Sequence, residues 1–402
     1  MTAPLHGLRI IEMAGIGPGP FAGMMLADHG AEVIRVERAD APWRFNNVLH
    51  RSRRSITVNL KRPEGVAIVA KLCCQADGLI EGLRPGVMER LGLGPDKLRA
   101  ANPRLVYGRV TGWGQDGPLA QTAGHDLSYI ALSGALDLMG RAGERPPVPL
   151  NLIGDFGGGG MLLAFGMLSA IFAARNTGNG QVVDAAMTEG AALLMSMFYG
   201  EGQTPEWPGQ RGTNMLGGAA PFYDIYETAD GGFIALSCIE PKFYAEMLQK
   251  TGLTDDPDFQ DQMNRAFWPA AKVKLTTLFK NRTRDEWCAV LEGTDACFAP
   301  VLSIKEAPAH PHNQARGSFV EAFGRVQPAP APRYSTSHTI RPVLPAAGAD
   351  TDAVLTEAGY GPQEIAALRK AGVVSGPAGA LDARAAGASA AGSVSDDEGM
   401  PQ

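Results

Sequence analysis

Residues 8–37, LRIIEMAGIGPGPFAGMMLADHGAEVIRVE, contain the pattern of strand, turn, helix and strand that indicates the fold. Leu8–Met13 is a short apolar run typical of a buried strand, and Glu32–Val36 is a second one. Phe21–Asp28 between them is predicted to be a helix. Because two strands joined through a helix pair in parallel, this stretch predicts the first unit of an α/β protein.

The same alternation continues along the first half of the chain and predicts a Rossmann-like parallel sheet. The further predicted strands are Gly78–Ile80 and Leu105–Val110, and the further predicted helices are Pro63–Gln75, Pro95–Ala101, Gly157–Arg175 and Asp184–Tyr199.

The second half has a different pattern, which predicts a smaller α+β domain. Tyr223–Thr228 and Phe233–Cys238 flank Asp230-Gly231, a pair typical of a β-hairpin turn. Thr283 and Glu286 have the spacing of a capping box at the start of a helix. The predicted organisation is a large α/β domain over 1–200, a linker over 201–220, the small domain over 221–324, a Pro-rich connector returning to the large domain over 325–372, and a disordered tail over 373–402.

Composition narrows the classes of function. The 402 residues are 45% hydrophobic and carry a net charge of -6, which argues against a dedicated nucleic-acid binder. The five cysteines form no C-x-x-C pair, so neither a disulfide framework nor a zinc site is expected. Met1–Gly7 shows no signal peptide, and the apolar segment Met161–Ala174 is too short to span a bilayer. We therefore expect a soluble, cytoplasmic protein without a membrane partner.

Gly17-Pro18-Gly19-Pro20-Phe21-Ala22 matches the glycine pattern of dinucleotide-binding proteins, and Glu37 lies twenty residues after Gly17. That loop binds pyrophosphate through backbone N–H groups, which Pro18 and Pro20 lack. A rigid turn between strand and helix is therefore the preferred interpretation, and NAD binding is the weaker alternative.

Three features carry candidate chemistry. Arginine guanidinium groups bind phosphate oxygens in pairs of hydrogen bonds, although scattered arginines are also typical of a solvated surface. His125 is a candidate base, with a structural histidine as the alternative. Asp155 precedes four glycines at a predicted helix start, where it is either a helix cap or part of a site with exposed N–H groups. The arginines are Arg35, Arg38, Arg51, Arg53, Arg54, Arg84 and Arg90.

Taken together, these residues resemble the α-methylacyl-CoA racemases, within the family III CoA-transferase superfamily. The resemblance extends from about Leu5 to Leu355. The Gly-His-Asp triplet at 124–126 points to the racemase branch. The matching stretches are Gly17–Pro20, Asp28–Val36, Arg53–Ser55, Arg84–Val87, Leu91–Pro95, Thr111–Gln115, Ala123–Asp126, Leu150–Asp155 and Gly180–Met187.

The resemblance implies an interlocked homodimer of two-domain subunits, with active sites at the subunit interfaces and an acyl-CoA thioester as substrate. The resemblance then implies that the arginine cluster binds the phosphate groups of CoA. Asn59 departs from the aspartate usual in the family and has lost its charge. The implied substrate contacts are Arg38, Thr57, Val58, Asn59, Leu60, Lys61, Arg84, Arg90, Gly124, Asp126, Leu127, Ser128 and Tyr129.

The resemblance also implies the chemistry. His125 and Asp155 match two bases that exchange a proton on opposite faces of the carbon beside the thioester, with His125 addressing the S epimer and Asp155 the R epimer. Glu240 matches a glutamate that orients the histidine, with a helix-terminal charge as the alternative. We expect a shielded, protonatable Asp155, enolate stabilisation by N–H groups at the glycine-rich helix start, and no metal or organic cofactor.

Two other functions remain open at this point. A CoA-transferase would use Asp155 as a nucleophile that forms an acyl anhydride. An inactive CoA-thioester binder would keep the arginines and have no use for the two bases.

Overall fold

The computed structural model describes residues 2–38, 48–201, 204 and 209–377. Two compact units are present, and neither is one continuous piece of chain. The first comprises 1–123, 155–187 and 321–402, and the second comprises 124–154 and 188–320. Most of the predicted tail lies outside the described residues, as does part of the predicted linker. Within the predicted tail, Val374–Ser375 forms a strand.

The secondary structure alternates in the first unit, as the sequence predicts. The strands are β1 (Arg9–Met13), β2 (Glu32–Glu37), β3 (Arg54–Val58), β4 (Gly78–Glu81), β5 (Val106–Thr111), β6 (Val182–Ala186), β7 (Tyr223–Glu227), β8 (Phe233–Ser237), β9 (Phe298–Pro300), β10 (Phe319–Ala322), β11 (Arg325–Pro328) and β12 (Val374–Ser375). The helices are α1 (Pro18–Asp28), α2 (Pro63–Cys73), α3 (Val87–Arg90), α4 (Pro95–Ala101), α5 (Asp126–Leu132), α6 (Ala135–Leu138), α7 (Leu162–Thr177), α8 (Met187–Leu194), α9 (Ser196–Glu201), α10 (Pro241–Thr251), α11 (Trp268–Phe279), α12 (Arg284–Leu291), α13 (Pro311–Arg316), α14 (Thr351–Glu357) and α15 (Pro362–Lys370).

A seven-stranded sheet in the order β12-β3-β2-β1-β4-β5-β6 forms the centre of the first unit. Strands β1–β6 are parallel, which confirms the predicted sheet, and β12 joins β3 in the antiparallel direction. From β1 the chain proceeds to one side through β2 and β3, and then to the other side through β4, β5 and β6. The sheet therefore reverses its winding between β1 and β4, and ligands of such sheets bind beside that point.

The prediction for Asp184–Tyr199 was wrong in part. Val182–Ala186 forms the edge strand β6, paired with β5, and the helical chain begins only at Met187. Strands β3 and β12 were not predicted. Arg53 and Arg54, at the start of β3, obscure the apolar alternation that would predict a strand. Their carboxylate partners, Glu12 and Glu32, are distant in sequence, so a short window gives no sign that these arginines are paired.

Helix α7 continues a π-helical segment, Leu152–Met161, in which N–H groups beyond the first turn bond to the carbonyl five residues earlier. Of the helices in the described residues, Leu152–Thr177 alone is long and apolar enough to cross a membrane. One face of α7 is buried, with Leu163 and Met167 fully enclosed, whereas Phe165 is 71% exposed. The predicted buried helix is thus buried on one face only.

The second unit has its own apolar core around a three-stranded antiparallel sheet, β7-β8-β9. The predicted hairpin is confirmed, since β7 pairs with β8 and Gly231 adopts φ +77° in the turn. The predicted capping box is also confirmed. Thr283 N donates to Glu286 Oε2 over 2.8 Å, and Glu286 N donates to Thr283 Oγ1 over 3.3 Å.

Candidate active site

The loops at the carboxyl edge of the parallel sheet bring several predicted site residues to one side of the first unit. Arg38 follows β2, the segment 59–61 follows β3, and Arg84 follows β4. The turn Gly17–Pro20 follows β1, at the reversal of the sheet. Because parallel strands end at a common edge, residues distant in sequence share one crevice there.

Asp155 lies against the turn that follows β1. A Cβ atom on Gly17 would be 3.0 Å from Asp155 Oδ2 and 3.3 Å from its Cγ. Gly17 has φ +68°, which favours glycine. The next residue, Phe156, stacks on Phe21 of α1 with ring centroids 4.7 Å apart. The turn Gly17–Pro20, which resembles a dinucleotide-binding motif, therefore packs against the Asp155 carboxyl group.

The predicted enolate donors do not have the expected geometry. Gly157–Gly160 lie inside the π-helical segment, which begins at Leu152, before Asp155. Their N–H groups therefore bond within the helix and are not free donors at its start. The glycines instead permit close packing, since a Cβ atom on Gly160 would lie 2.7 Å from Phe21 Cδ1. Asp155 itself lies in the first turn of the helix.

His125 lies in the second unit, at the residue that precedes α5. Its carbonyl accepts hydrogen bonds from Ser128 N at 2.8 Å and Tyr129 N at 3.3 Å, and its ring is exposed. The neighbouring Asp126 is buried and packs on Gly154, where an added Cβ atom would be 2.8 Å from Asp126 Oδ2. The residue after His125 thus contacts the residue before Asp155.

The other predicted contacts in this segment divide by burial. Tyr129 is buried, Leu127 is 41% exposed, Ser128 is exposed and Gly124 is half-buried.

Glu240 occupies the N-cap position of α10, and its carbonyl accepts from Phe243 N and Tyr244 N, both at 3.0 Å. Its side chain does not cap the helix and is exposed. Burial and the negative charge of Glu240 raise the pKa of the Cys297 thiol. The backbone of Glu240 starts the helix, which leaves its side chain available for another role.

Four arginines of the predicted cluster are engaged within the fold, and the expectation that they grip phosphates needs correction. Arg35 and Arg53 both pair with buried Glu12, each with an N–O distance of 2.6 Å. Arg51 pairs with Asp28 at 2.6 Å, and Arg54 pairs with Glu32 at 2.5 Å and with Glu357 at 2.7 Å. Local sequence gives little signal for this, because each of these carboxylate partners is more than twenty residues away. Arg35 has a nearby partner as well, Glu37, at 3.5 Å.

The remaining arginines of the cluster differ from these four. Arg38, Arg84 and Arg90 are exposed, and within the described residues the side chains of Arg84 and Arg90 form no ion pair. Arg90 reaches back over the preceding turn, with Nη1 3.1 Å from a Cβ atom built on Gly86. The guanidinium groups of Arg84 and Arg90, which are exposed and have no ion-pair partner in the described part of the chain, suit an anionic ligand beside the reversal of the sheet.

The segment Thr57–Lys61 passes from buried to exposed. Thr57 and Val58 are buried in β3, where Thr57 Oγ1 donates to Ser375 O over 2.6 Å. Asn59 Oδ1 accepts from Lys61 N at 3.0 Å, which turns the chain out of the sheet. Leu60 is half-buried and Lys61 is exposed. Lys61 is thus the side chain of this segment that is most open to a ligand.

Comparison with known proteins decides the family. The family described as CoA-transferase family III matches residues 5–351. The chain belongs to this family. The match runs from before β1 to the first residue of α14, so it includes the whole second unit and most of the first, while the rest of α14, α15 and β12 follow it.

Two relatives and one solved structure are similar to the chain over most of its length. It is 45% identical to the "Alpha-methylacyl-CoA racemase" of Mus musculus over 92% of this chain and 97% of the relative. It is 44% identical to the protein of the same name from Homo sapiens over 90% and 95%. The crystal structure of a "CAIB/BAIF family protein from Brucella suis" superimposes with a TM-score of 0.77 at 25% identity, covering 89% of this chain and all of that one.

Proposed function

We propose that this protein is an α-methylacyl-CoA racemase, which inverts the carbon next to the thioester of 2-methylacyl-CoA substrates. The observation that carries the proposal is the identity of 44–45%, over about nine tenths of the chain, to two relatives that bear this name. Membership in CoA-transferase family III fits a CoA-thioester substrate. The Gly-His-Asp triplet at 124–126 supplies an imidazole that the racemase chemistry requires.

Inversion at a weakly acidic carbon needs a base on one face and an acid on the other. In the proposed reaction His125 removes the proton of the S epimer while protonated Asp155 delivers a proton to the opposite face. In the reverse direction Asp155 removes the proton of the R epimer and protonated His125 delivers one. The packing of Asp126 on Gly154 supports this assignment. Asp126 directly follows His125 in the chain, and Gly154 directly precedes Asp155.

The thioester oxygen gains negative charge while the proton is absent from carbon, so a donor must stabilise it. The helical glycines are unsuited to this task, as their N–H groups bond within the π-helix. Gly19 N–H is a better candidate. In the first turn of α1, Pro18 and Pro20 have no N–H, and Phe21 N donates to Gly17 O over 3.2 Å. The reaction itself requires no metal or organic cofactor, because the thioester acidifies the carbon.

The CoA moiety is proposed to bind through Arg38, Lys61, Arg84 and Arg90, all of them exposed cations of the first unit. Glu240 is proposed to orient the catalytic histidine. Active sites at the interfaces of an interlocked homodimer would bring Glu240 to that position. Apolar side chains exposed on helices of both units support such an interface, among them Phe165 and Phe172 at about 70% and Leu193 at 60%.

One experiment tests the reaction. A single epimer of a 2-methylacyl-CoA is incubated with the enzyme in D2O, with and without a free carboxylic acid as acceptor. We expect deuterium at C2 together with loss of chirality, independent of the acceptor. Transfer of CoA to the acceptor with an untouched C2 would identify a CoA-transferase instead, and neither change would identify a binder without this activity.

Variants then test the two bases. His125→Ala and Asp155→Ala should each lower the rate of epimerisation by at least 10²-fold, because general acid–base catalysis typically contributes about 10²–10⁴-fold. His310, another histidine of the second unit, pairs with Glu292 at 2.7 Å and provides the matched control His310→Ala. Full activity in either base variant would remove that residue from the mechanism.

A further inference from the structure

A charged cluster lies beneath the loop that carries Arg84 and Arg90. Glu81 ends β4 and is paired in register with Arg109 of β5. Arg109 Nε donates to Glu81 Oε1 over 3.0 Å, and the two side chains are only 2% and 9% exposed. The other end of the same guanidinium group pairs with Glu89 of α3. We call Glu81, Arg109 and Glu89 the clamp.

The clamp holds the loop at both ends. At the beginning, Glu81 Oε2 accepts from Leu83 N at 2.7 Å, immediately before Arg84. At the end, Glu89 precedes Arg90 and packs under the next loop, where a Cβ atom on Gly94 would be 2.9 Å from Glu89 Cγ. One buried guanidinium group therefore connects the backbone beside Arg84 to the helix that carries Arg90.

The loop between these ends is itself tightly turned. Val87 N donates to Arg84 O and Arg90 N donates to Gly86 O, both over 3.1 Å. Gln121 Nε2 donates to Pro85 O over 3.1 Å. On the same face of β5 as Arg109, Tyr107 donates its hydroxyl proton to Leu93 O over 3.0 Å. Burial raises the pKa of this phenol, so it stays a donor.

The clamp has no place in proton transfer, because none of its members is one of the two bases, and its carboxylates are occupied by Arg109 and a backbone N–H. A buried ion pair is costly to desolvate and contributes little net stability. The directed hydrogen bonds between a guanidinium group and carboxylates nevertheless add geometric specificity. The geometry that the clamp fixes here is the separation of two exposed guanidinium groups without ion-pair partners among the described residues.

We propose that Arg109, together with Glu81 and Glu89, is a set of positioning residues that spaces Arg84 and Arg90 to match the phosphate groups of CoA. This proposal rests on the CoA binding that is part of the proposed function. The clamp affects only the affinity for the part of the substrate that carries the phosphate groups. Spacing matters because a guanidinium group binds phosphate oxygens through two directed hydrogen bonds.

Glu89→Ala tests this role, since Glu89 is 43% exposed on its side chain and its loss leaves the buried pair of Glu81 and Arg109 intact. The matched control is Glu357→Ala, which removes another helical glutamate that is 45% exposed and paired with an arginine. Arg84→Ala serves as the reference for loss of a direct contact. The dissociation constant of free CoA is measured by calorimetry, and KM is measured for acyl-CoA and for the same acyl group on pantetheine, which lacks the nucleotide phosphates.

We expect Glu89→Ala to weaken CoA binding at least fivefold and to raise KM for acyl-CoA similarly, with KM for the acyl-pantetheine thioester and its kcat unchanged. Glu357→Ala should change none of these values. Equal affinity of Glu89→Ala and wild type for CoA would overturn the proposal, as would equal losses for both thioesters. If Glu89→Ala does not fold, Glu89→Gln, which keeps a hydrogen-bond acceptor, should show a smaller shift of the same kind, and wild-type affinity there would also overturn the proposal.

The binding measurement separates this proposal from the proposed reaction. A wild-type protein that binds CoA but exchanges no deuterium at C2 would refute the racemase while leaving the clamp to be judged by its own variants.

Discussion

Gly154 lies so close to Asp126 that the hydrogen-bearing side of its backbone has no space for a methyl group. A Cβ atom there would be 2.8 Å from Asp126 Oδ2, 2.9 Å from its Cγ and 3.3 Å from its Cα. The contact lies within the second unit. Asp126 directly follows His125 in the chain, and Gly154 directly precedes Asp155.

Gly154→Ala should therefore lower kcat at least tenfold, because a shift of catalytic groups by about 1 Å costs up to 10²-fold in rate. The variant should still fold, with a loss of about 1–3 kcal/mol for overpacking. The rate of deuterium exchange at C2 measures the effect. Gly200→Ala is the control, since a Cβ atom at Gly200 has no neighbour within 4 Å. An unchanged kcat in Gly154→Ala would show that this contact does not position the bases.

Gly17→Ala places a methyl group against the carboxyl group of Asp155. We expect loss of epimerisation together with a destabilisation of about 1–3 kcal/mol, because alanine is strained in the φ +68°, ψ −118° conformation of Gly17. Gly117→Ala isolates the second effect, since Gly117 has φ +86° and open space around it. Urea denaturation should show similar losses of stability in the two variants, and kinetics should show a loss of activity in Gly17→Ala alone. Equal activities of Gly17→Ala and Gly117→Ala would contradict the contact between Gly17 and the Asp155 carboxyl group.

Glu12→Ala should be among the most destabilising substitutions in the first unit. Glu12 is fully buried between Arg35 and Arg53, and burial already lowers the pKa of Arg53 to about 10 despite the nearby Glu12 charge. Removing one partner of a buried ion pair typically costs about 3–5 kcal/mol. The free energy of unfolding in urea measures this. Glu357→Ala, at an exposed pair, should cost no more than about 1 kcal/mol.

Glu306 gives the second unit an acid-sensitive contribution to stability. Its hydrogen bonds from Arg284 Nη2 at 2.5 Å and Ser303 N at 2.8 Å lower the pKa of Glu306 to about 2, from an ordinary 4.5. A lowered pKa in the folded state means that the contribution is complete above about pH 4.5 and is lost as the pH falls towards 2. The difference in urea midpoint between wild type and Glu306→Gln should therefore shrink over this range.

A difference in urea midpoint between wild type and Glu306→Gln that stays constant over this pH range would contradict the assigned contacts.

The regular alternation of the first unit was predictable because it is local. Pro95–Ala101 is a helix with the predicted bounds, and β1, β2, β4 and β5 lie within one residue of the predicted strands at each end. These elements carry apolar runs, turn residues and a proline at the first helical position, all visible in short windows. The family resemblance, which rests on motifs along most of the chain, is confirmed by the match over residues 5–351.

The roles of the arginines were not predictable from such windows. Arg53 and Arg84 look alike in sequence, yet the first is buried against Glu12, forty-one residues away, and the second is exposed. The glycines after Asp155 were misjudged for a related reason. A run of glycines is typical of a helix start, but tertiary packing against Phe21 accommodates them inside a helix. Whether a charge is paired, or a helix continues, depends on partners that only the fold brings near.

The late strand β12 has a consequence for how the protein is made on the ribosome. Its register partners Val58 and Thr57 are synthesised more than 300 residues before Val374 and Ser375. Until Val374 and Ser375 have been synthesised, the β3 side of the central sheet has an unpaired edge, and such edges recruit other extended chains. We expect nascent or truncated chains that stop before Val374 to need chaperone protection, and purification tags are best attached after residue 377.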